Sequence, residues 1–585
     1  MKGRLQVIIS ILIFLLVSII YAFPLFKNIN NWGGMDWDQF TFWNAVPRET
    51  ILKYHQFPLW NPYSSGGSAI FARPHSSFLS PFYIFVLIFG PIIGLKLQII
   101  IHLLLGMFGV FLFCKYIGIK EYSAYLPPFI YMLSSFYSVH IAEGHVERFT
   151  MAFLPWFFLF YFKSLRNFKY IIGSIISLAL MILGGSVYVF NITVILFLIY
   201  GFFCMLQQRK LAPLRVIVII FLATFLLCSI KLIPMLEFLQ DNPRKTNPEG
   251  ITNISLLPTI FLSRDQALYY QNTRWYWQQK VVNGIRIQEG WHEYGAYVGV
   301  VPLVLATIGL AFCFKKYWPL LIMGILSLWI SLGEGIFYNL WRLLHKFPIY
   351  NSLHVPSRFI LGFLFSLSIF SGFGLEKIER VISKRGKYLI GIIIALVFLD
   401  LFLVDYPLLK NTFTVKPAEI KKQSEFRQRY RDFNLFPEKS KSSMYPALLS
   451  NSGIINAYEV INVDKGNVMT ISDYSYRGEV YLAQDKGSAK IVYFSPNKIV
   501  INVNVNDIDT LILNLNHYKG WRAKSNVEKK EVKPFNGLIA TSVNSKDKKI
   551  TFYYLPSSFI IGSLLSAVTT MLVFYFRRRQ FIKYI

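Results

Sequence analysis

The sequence predicts an α-helical polytopic membrane protein that crosses the bilayer about twelve times and carries a small, mainly β domain before its last helix. Three observations predict this fold. Charged residues make up only 16% of the 585 residues, whereas soluble domains average about 25%. Twelve apolar runs approach the length needed to cross a hydrocarbon layer of about 30 Å. Residues 410–555 instead show, in places, the period-2 alternation of β-strands.

The predicted spans follow the apolar runs in chain order. They lie near residues 5–26, 93–114, 123–140, 150–165, 170–185, 187–206, 213–235, 296–314, 317–335, 357–375, 388–406 and 557–576. The third and fourth of these runs are short for a full crossing. The run 78–91 is shorter still and contains Pro81 and Pro91, so we predict an interfacial helix there.

The positions of Lys and Arg predict the orientation of the chain. With the N-terminus inside, every loop assigned to the cytoplasm is basic, up to the tail at 577–585, as the positive-inside rule requires. We therefore expect a multi-pass protein of the cytoplasmic membrane with both termini in the cytoplasm. The same loops account for most of the net charge of +29, so we expect no nucleic-acid partner.

Four segments predicted to lie outside are too long to be simple connectors, which suggests that they carry function: residues 27–92, 236–295, 336–356 and 407–556. We predict three parts: a transmembrane domain (1–409) that includes the first three of these loops, an extracytoplasmic β-rich domain (410–555), and a last helix with a basic tail (556–585).

The β-rich prediction comes from alternating apolar residues at 499–505 and 511–515 and from a strand-like segment at 550–554. Residues 534–537, Pro-Phe-Asn-Gly, have the composition of a tight turn. Together they predict a small antiparallel β-domain.

The first outside loop carries two carboxylates, Asp36 and Asp38, about ten residues beyond the first span. A carboxylate at this position can act as a general base on a hydroxyl group or bind a divalent metal. The alternative is a solvated acid that caps the following helix. Farther along the loop follow aromatic and polar neighbours, among them Trp60, Asn61 and Arg73.

A second group of ionisable residues, Glu143, His145 and Arg148, lies between two short apolar runs. Ionisable residues at such a place sit at the water interface or line a cavity, and either position makes them site candidates. Ordinary solvation of a loop is the alternative.

A third group, His354 and Arg358, opens the tenth predicted span. The planar fork of an arginine suits a phosphate, although an arginine at a membrane interface can also serve as an anchor. Trp275, in the loop 236–295, has the character of a residue that stacks on a sugar, but Trp and Tyr also occur at membrane interfaces for packing reasons alone, and we favour the packing reading here.

The sequence resembles the YfhO-like bacterial membrane proteins, which belong to the GT-C-fold glycosyltransferases. The resemblance rests on several stretches taken in order: Asp36–Gln39, Phe57–Tyr63 with Gly66-Gly67, Glu143–His145 leading to Leu154–Trp156, Tyr297–Leu303, Val355–Phe359, Tyr518–Trp521 and Tyr554–Phe559. It covers most of the chain, except residues 410–500.

The resemblance implies a GT-C-like transmembrane domain that transfers a sugar from a polyprenyl-phosphate carrier at the outer membrane face. The acceptor would be a surface glycan, a teichoic-acid-like polymer, a lipid or a protein. GT-C enzymes place an acidic residue in the first outside loop, which implies Asp36 as the base. Asp38 is then an alternate base or a metal ligand.

The other candidates take binding roles in this scheme. Arg358, His354, Arg148, His145 and Arg73 are the expected donor-phosphate ligands, and Glu143, Trp60, Asn61 and Trp275 the expected substrate ligands. No cofactor is certain; a divalent cation, Mg or Mn, is possible, and Asp36 and Asp38 would hold it.

Two other classes of function stay open. A transporter or flippase of lipid-linked glycans has a similar number of helices, but such proteins place polar residues near the bilayer midplane and usually show two related halves. A non-catalytic assembly protein of the cell envelope would use the β domain for binding and would not need Asp36 or Asp38.

Overall fold

The computed structural model describes residues 2–34, 36–244, 246, 252–275, 278–334, 338–381, 386–432, 444–459, 461 and 463–582. Parts of the predicted outside segments (247–251, 276–277, 336–337 and 433–443) and the last three residues of the basic tail lie outside this set. The α-helices within it are α1 Lys2–Ala22, α2 Asp36–Tyr54, α3 Ile84–Ile117, α4 Leu126–Leu133, α5 Ser135–Glu143, α6 Leu154–Ser164, α7 Ile171–Leu183, α8 Val187–Gln208, α9 Ala212–Leu227, α10 Ser229–Asp241, α11 Leu257–Leu262, α12 Gln266–Thr273, α13 Val300–Ser331, α14 Leu340–Leu344, α15 Ile360–Val381, α16 Gly386–Lys410, α17 Met444–Leu449 and α18 Ser557–Ile582.

The chain is a mostly helical, multi-pass membrane protein, and all twelve predicted apolar runs form helices. Six of the described helical segments are long and apolar enough to cross a membrane, or seven if the bent pair α9–α10 is one span. The count of twelve is therefore not confirmed. Runs 123–140 and 150–165 form only short helices, because the chain breaks into α4 and α5 at Ser134 and begins α6 at Leu154.

The long stretch α13 contains two of the predicted spans. Contacts with α15 and the residue before it give its direction. Along the first arm, Pro302 contacts Ser371 and Phe312 contacts Lys377. Along the second arm, Tyr317 contacts Phe373, Leu320 contacts Ser366 and Ser327 contacts Phe359. The first arm thus runs parallel to α15 and the second runs antiparallel to it. The stretch doubles back at Tyr317, whose backbone leaves the helical region, between the two runs that the sequence predicts.

Two other helical stretches are broken. In α3, Gly90 adopts a φ of 79°, which glycine tolerates readily, and the chain folds back so that Gly94 lies against Phe85. This break separates the run 78–91 from the following span, as predicted. The predicted span 213–235 is bent by 84° between α9 and α10, where sequence periodicity gives no sign of a bend.

The β region near the C-terminus contains two antiparallel sheets. Their strands are β5 Val480–Leu482, β6 Gly487–Ser495, β7 Lys498–Val505, β8 Asp509–Asn516, β9 Trp521–Ser525, β10 Lys529–Lys530, β11 Lys533–Phe535, β12 Leu538–Val543 and β13 Lys549–Tyr554, in the orders β10-β9-β13-β7-β6 and β11-β12-β8-β5. The predicted strands form β7, β8 and β13, and the predicted turn joins β11 to β12. Before these sheets, β3 Arg427–Asp432 and β4 Ser452–Asn456 pair in parallel. Earlier, β1 Val281–Val282 and β2 Ile285–Arg286 form a small hairpin.

Contacts divide the chain into two compact units. The first contains residues 1–29, 96–224 and 245–414, and the second contains 30–95, 225–244 and 415–585. The second unit joins the first predicted outside loop to the β region: Asn516 donates its backbone N–H to the carbonyl of Gly66 over 2.8 Å, and Ser64 forms a bridge with Ile454. The predicted domain boundaries remain a prediction.

Candidate functional site

In the first unit, a turn after α5 positions the residues of the second predicted group. Gly144 ends α5 with a φ of 107°, a left-handed conformation typical of glycine at helix ends. The chain then enters a short 3-10 helix at Val146–Phe153. Glu143, His145 and Arg148 are all buried as a result. Their burial excludes ordinary loop solvation.

Arg358 forms a buried ion pair with Glu293. Its Nε donates to Oε2 of Glu293 over 2.7 Å, and its Nη2 donates to Oε1. Burial raises the pKa of Glu293, but the charge and hydrogen bonds of Arg358 outweigh this and hold the pKa well below its usual value. The guanidinium predicted to bind phosphate is therefore already engaged by a carboxylate of the protein.

Arg148 lies beside Arg358, and both guanidinium groups lie over the ring of Tyr188, at 4.9 and 4.0 Å from its centroid. Arg148 is 1% exposed. Its Nε lies 3.8 Å from Glu147, but neither Nε nor Nη2 donates a hydrogen bond to any described residue. Burial and the nearby charge of Arg358 lower the pKa of Arg148 to about 10, so it stays charged at neutral pH.

Acidic and histidine side chains complete this group. Tyr270 donates its hydroxyl hydrogen to Oε2 of Glu143 over 2.9 Å, and Nδ1 of His292 lies 3.5 Å from the same oxygen. Nδ1 of His354 lies 2.8 Å from the hydroxyl of Tyr188. We refer to Glu143, His145, Arg148, Tyr188, His292, Glu293, His354 and Arg358 as the Tyr188 cluster.

Three members of the Tyr188 cluster have the composition of a metal site. Ligand atoms of His145, His292 and Glu293 lie within 4.8 Å of one another. Imidazole and carboxylate ligands suit Zn and other first-row transition metals better than they suit Mg. A cation would fit this group of three better than it fits the predicted pair, Asp36 and Asp38.

In the second unit, Asp36 and Asp38 have different surroundings. Asp36 is the first residue of α2 and is partly exposed. Asp38 is buried, and its two oxygens accept the backbone N–H groups of Met444 and Tyr445 over 2.9 and 3.0 Å. Asp38 thus caps the N-terminus of α17, which is neither the following helix nor the solvated setting that the alternative reading of the sequence gave it.

Arg73, predicted to bind phosphate, lies in the second unit and forms a buried ion pair with Glu459. It also donates a hydrogen bond from Nη2 to Ser68 over 2.9 Å. Burial raises the pKa of Glu459, and the charge of Arg73 only partly offsets this effect. The structure therefore gives Arg73 a carboxylate partner within the protein.

Trp60 and Asn61, predicted to bind substrate, are both fully buried. Trp60 packs against Trp521 and Tyr554, with ring centroids 5.3 and 4.8 Å away. The side chain of Asn61 donates to Ser64 and accepts the backbone N–H of Tyr63, so both of its polar atoms shape the loop. These contacts give both residues structural roles.

Trp275 lies in the first unit, beside Arg274. The guanidinium of Arg274 lies 5.0 Å from the ring of Trp275 and 5.2 Å from that of Tyr270. One face of Trp275 is therefore engaged by a cation of the protein.

Sequence reasoning missed four residues that the structure places in these groups: Tyr188, His292, Glu293 and Glu459. A signal existed for His292 and Glu293, because they are adjacent ionisable residues just before an apolar run, like Glu143 and His145. Tyr188 lies within an apolar run and Glu459 within a stretch without any motif, so neither gave a signal.

Comparison with known proteins gives one family match. The family model described as "Bacterial membrane protein YfhO" matches residues 461–566, which hold β5–β13 and the start of α18. The match confirms, over this part of the chain, the resemblance found in the sequence. No curated protein matches the chain.

Among solved structures, the chain is similar to the arabinofuranosyltransferase AftD from Mycobacteria, with 13% identity and a TM-score of 0.44. The alignment covers 70% of this chain and 27% of the AftD chain. The protein therefore aligns with only about a quarter of the length of that enzyme.

Proposed function

We propose that this protein is a membrane glycosyltransferase that moves a sugar from a polyprenyl-phosphate carrier to a cell-surface acceptor at the outer face of the cytoplasmic membrane. The membrane-spanning helices and the match to the YfhO family support this class. The observation that carries the proposal is Arg148, a buried guanidinium with two nitrogens that donate no hydrogen bond to any described residue. Buried donors without partners are costly, which points to an anionic ligand.

The donor phosphate would bind Arg148. Glu293 already pairs with Arg358, whereas Nε and Nη2 of Arg148 donate no hydrogen bond to any described residue, so Arg148 is the guanidinium that can bind the phosphate. A phosphodiester oxygen accepts charge-assisted hydrogen bonds from such a group, and these bonds are stronger than those between neutral partners. The same contact stabilises the negative charge that develops on the phosphate as the sugar leaves.

In the reaction, a hydroxyl oxygen of the acceptor attacks the anomeric carbon of the donor sugar. The bond between that carbon and the phosphate oxygen breaks, and its electron pair stays on the phosphate. The hydroxyl proton passes to a general base. Atoms and charge balance without any oxidant or reductant.

Asp36 is the residue we propose as the base. It is partly exposed at the first turn of α2, whereas both oxygens of Asp38 accept backbone N–H groups. A base must have an oxygen within hydrogen-bond reach of the substrate proton. Asp36 meets this requirement better than Asp38.

A divalent cation, if the reaction uses one, would bind His145, His292 and Glu293. When bound there it would supply positive charge next to the donor phosphate. Three carboxylates (Glu143, Glu147 and Glu293) face two guanidinium groups in and around the cluster, so the local charge permits a cation together with an anionic ligand.

The orientation is part of the proposal, with the β region outside and both termini inside. A cysteine introduced at the exposed Asn526, between β9 and β10, tests it in a variant without the native cysteines. We expect a membrane-impermeant maleimide to label it on intact cells. Labelling only after lysis would show that the β region lies in the cytoplasm and that the proposed orientation is wrong.

The function itself is tested with Arg148→Met in purified protein reconstituted in nanodiscs. Loss of one charge-assisted partner of a phosphate typically costs about 1.5–3 kcal/mol, or roughly tenfold to a hundredfold in use of the donor. We expect this decrease when sugar transfer is measured against the concentration of the polyprenyl-phosphate sugar.

The matched control is Arg166→Met, because Arg166 also lies over a tyrosine ring, 5.5 Å from Tyr116, but in the short loop before α7. It should transfer sugar like the wild type. Unchanged donor dependence in Arg148→Met would remove the phosphate site. Absence of any transfer by the wild-type protein with a panel of polyprenyl-phosphate sugars would favour the assembly-protein alternative.

A further inference from the structure

One face of α2 carries Asp36 together with two buried polar residues. Asp36, Gln39 and Trp43 occupy positions i, i+3 and i+7 of this helix, and such positions share one face. Gln39 is 1% exposed and Trp43 is 6% exposed. The proposed base therefore begins a stripe of side chains that continues into the interior of the second unit.

This stripe meets residues from two other segments. The guanidinium of Arg73 lies 5.8 Å from the ring of Trp43, and Arg73 pairs with Glu459. Gln39 donates its Nε2 hydrogen to the carbonyl of Tyr458, the residue before Glu459. Contacts thus link Gln39, Glu459, Arg73 and Trp43 into one group, which we refer to as the α2 face.

Each of these four side chains has a buried polar atom without a hydrogen-bond partner among the described residues. The donors are Nε1 of Trp43 and Nε of Arg73, and the acceptors are Oε1 of Gln39 and Oε1 of Glu459. Most buried polar atoms in proteins have a partner, so four such atoms in one contact group are unusual. Such atoms need a polar partner, which is either ordered water or a ligand that both donates and accepts hydrogen bonds.

The polarity of the four atoms identifies the class of ligand. Two donors and two acceptors suit a molecule whose groups both donate and accept hydrogen bonds, which is the property of a hydroxyl. A phosphate only accepts, and the carboxylate of Glu459 would repel it. The ring of Trp43 is stacked on the imidazole of His75 and has the guanidinium of Arg73 near it, so Trp43 contributes its Nε1 donor to the group.

We infer that the α2 face is a binding site for a neutral, hydroxyl-rich sugar ring, held by Gln39, Trp43, Arg73 and Glu459. This inference rests on the proposed function and deepens it, because the site extends along the same helix face as Asp36. A sugar bound there lies within a few helical residues of the base. It belongs either to the acceptor or to the donor.

The test measures binding of methyl glucoside, methyl galactoside and the methyl glycoside of N-acetylglucosamine to the full-length protein in nanodiscs, which avoids sugar-based detergents. We expect at least one to bind by saturation-transfer NMR. Trp43→Phe keeps an aromatic ring and removes the donor, and Gln39→Met keeps the length and removes the acceptor together with the hydrogen bond to Tyr458. Each should weaken binding about three- to tenfold.

Trp521→Phe is the matched control, since Trp521 is also 6% exposed and its Nε1 also lacks a hydrogen-bond partner among the described residues, but it packs on Trp60 and Tyr554. It should bind sugar like the wild type. Thermal unfolding of all variants checks that they fold. Inorganic phosphate should not compete with the glycoside.

Two further measurements separate the possible outcomes. Loading the nanodiscs with a polyprenyl-phosphate sugar displaces the glycoside if the site holds the donor sugar, and leaves it bound if the site holds the acceptor. Asp36→Asn should keep glycoside binding. If this variant lost transfer while no glycoside bound the wild type, or while Trp43→Phe and Gln39→Met bound normally, the sugar site would be wrong and the proposed function would stand. If the glycoside bound as expected but Asp36→Asn kept full transfer, the sugar site would stand without the proposed base.

Discussion

The Tyr188 cluster and the first turn of α2 each contain two like charged groups. In each pair, the two groups lie close together and the protein gives them different surroundings. In the first unit, Arg358 pairs with Glu293 while Arg148 has nitrogens without hydrogen bonds to described residues. In the second unit, Asp38 caps α17 while Asp36 stays partly exposed.

In each pair, one member contributes to the stability of the fold, and the other is the one we propose for binding or catalysis. A charged group that the protein itself satisfies contributes to the fold, and removing its partner leaves a costly buried charge. A buried donor without a partner among the described residues, such as Nε of Arg148, costs stability and can bind a ligand, and a partly exposed carboxylate such as Asp36 can be reached by a substrate. Variants of the two members should therefore fail in opposite ways.

The largest expected effect is on turnover, in Asp36→Asn. The substitution keeps the size of the side chain and removes the charge that accepts a proton. A general base typically contributes about 10²–10⁴-fold, so sugar transfer should fall by that factor. The unfolding temperature should stay near that of the wild type, because Asp36 is partly exposed.

Asp507→Asn is the control for this substitution, because Asp507 is an exposed acid in the turn between β7 and β8. Its transfer rate should equal that of the wild type. Full transfer by Asp36→Asn in the same assay would contradict the assignment of the base.

The next effect is on stability, in Arg358→Met. This substitution leaves Glu293 buried without its partner, and breaking a buried pair in this way typically costs about 3–5 kcal/mol. Arg148→Met should cost less, because the contact of Arg148 with Glu147 is longer, at 3.8 Å, and its Nε and Nη2 donate no hydrogen bond to any described residue.

Thermal unfolding of both variants in the same detergent measures the contrast. The two variants are each other's control, because both guanidinium groups lie over the ring of Tyr188. Equal destabilisation by both would show that Arg148 is as strongly satisfied in the folded protein as Arg358.

A smaller effect is expected in Asp38→Asn. The amide keeps one acceptor oxygen but loses the charge and the second acceptor for the N–H groups of Met444 and Tyr445. The loss of such a charged hydrogen bond costs about 1.5–3 kcal/mol. The variant should therefore unfold at a lower temperature, and its turnover below that temperature should fall less than that of Asp36→Asn. A turnover loss equal to that of Asp36→Asn, at unchanged stability, would show that Asp38 takes part in catalysis.

The membrane class, the positions of the apolar helices and the strands around residues 499–554 could be predicted from the sequence, because composition and periodicity depend on local residues. The number of spans could not. Helix breaks at Gly90, Tyr317 and Cys228 decide it, and these depend on how the helices pack. The parallel pairing of β3 with β4 also joins distant residues and left no local pattern.

For the site, the sequence could predict which ionisable residues occur near the helix ends, and five of them meet in the Tyr188 cluster. It could not predict which of them the fold engages. That depends on partners far along the chain: Glu293 lies 65 residues from Arg358, and Met444 lies 406 residues from Asp38. The same distance hid Glu459 as the partner of Arg73.

The smallest expected effect concerns pH and compares the two buried pairs, Arg358–Glu293 and Arg73–Glu459. Burial raises the pKa of Glu459 in the folded protein, because the charge of Arg73 only partly offsets it. Between the usual pKa of a glutamate and this raised value, the folded protein binds more protons than the unfolded chain, so stability increases as the pH falls. Glu293 has the opposite sign: burial raises its pKa, but Arg358 lowers it further, so its contribution to stability is lost only as the pH falls below the usual value.

Wild-type protein should therefore gain stability relative to Glu459→Gln as the pH falls from neutral towards the usual pKa of a glutamate. The gain should be at most about 1.4 kcal/mol per pH unit. Relative to Glu293→Gln it should show no such gain over this range. Unfolding temperatures of the three proteins, measured in one buffer series, give the two slopes. A loss of wild-type stability relative to Glu459→Gln on acidification would mean that Arg73 holds Glu459 ionised as firmly as Arg358 holds Glu293. The two pairs would then be alike, and Arg73 would be as fully engaged as Arg358.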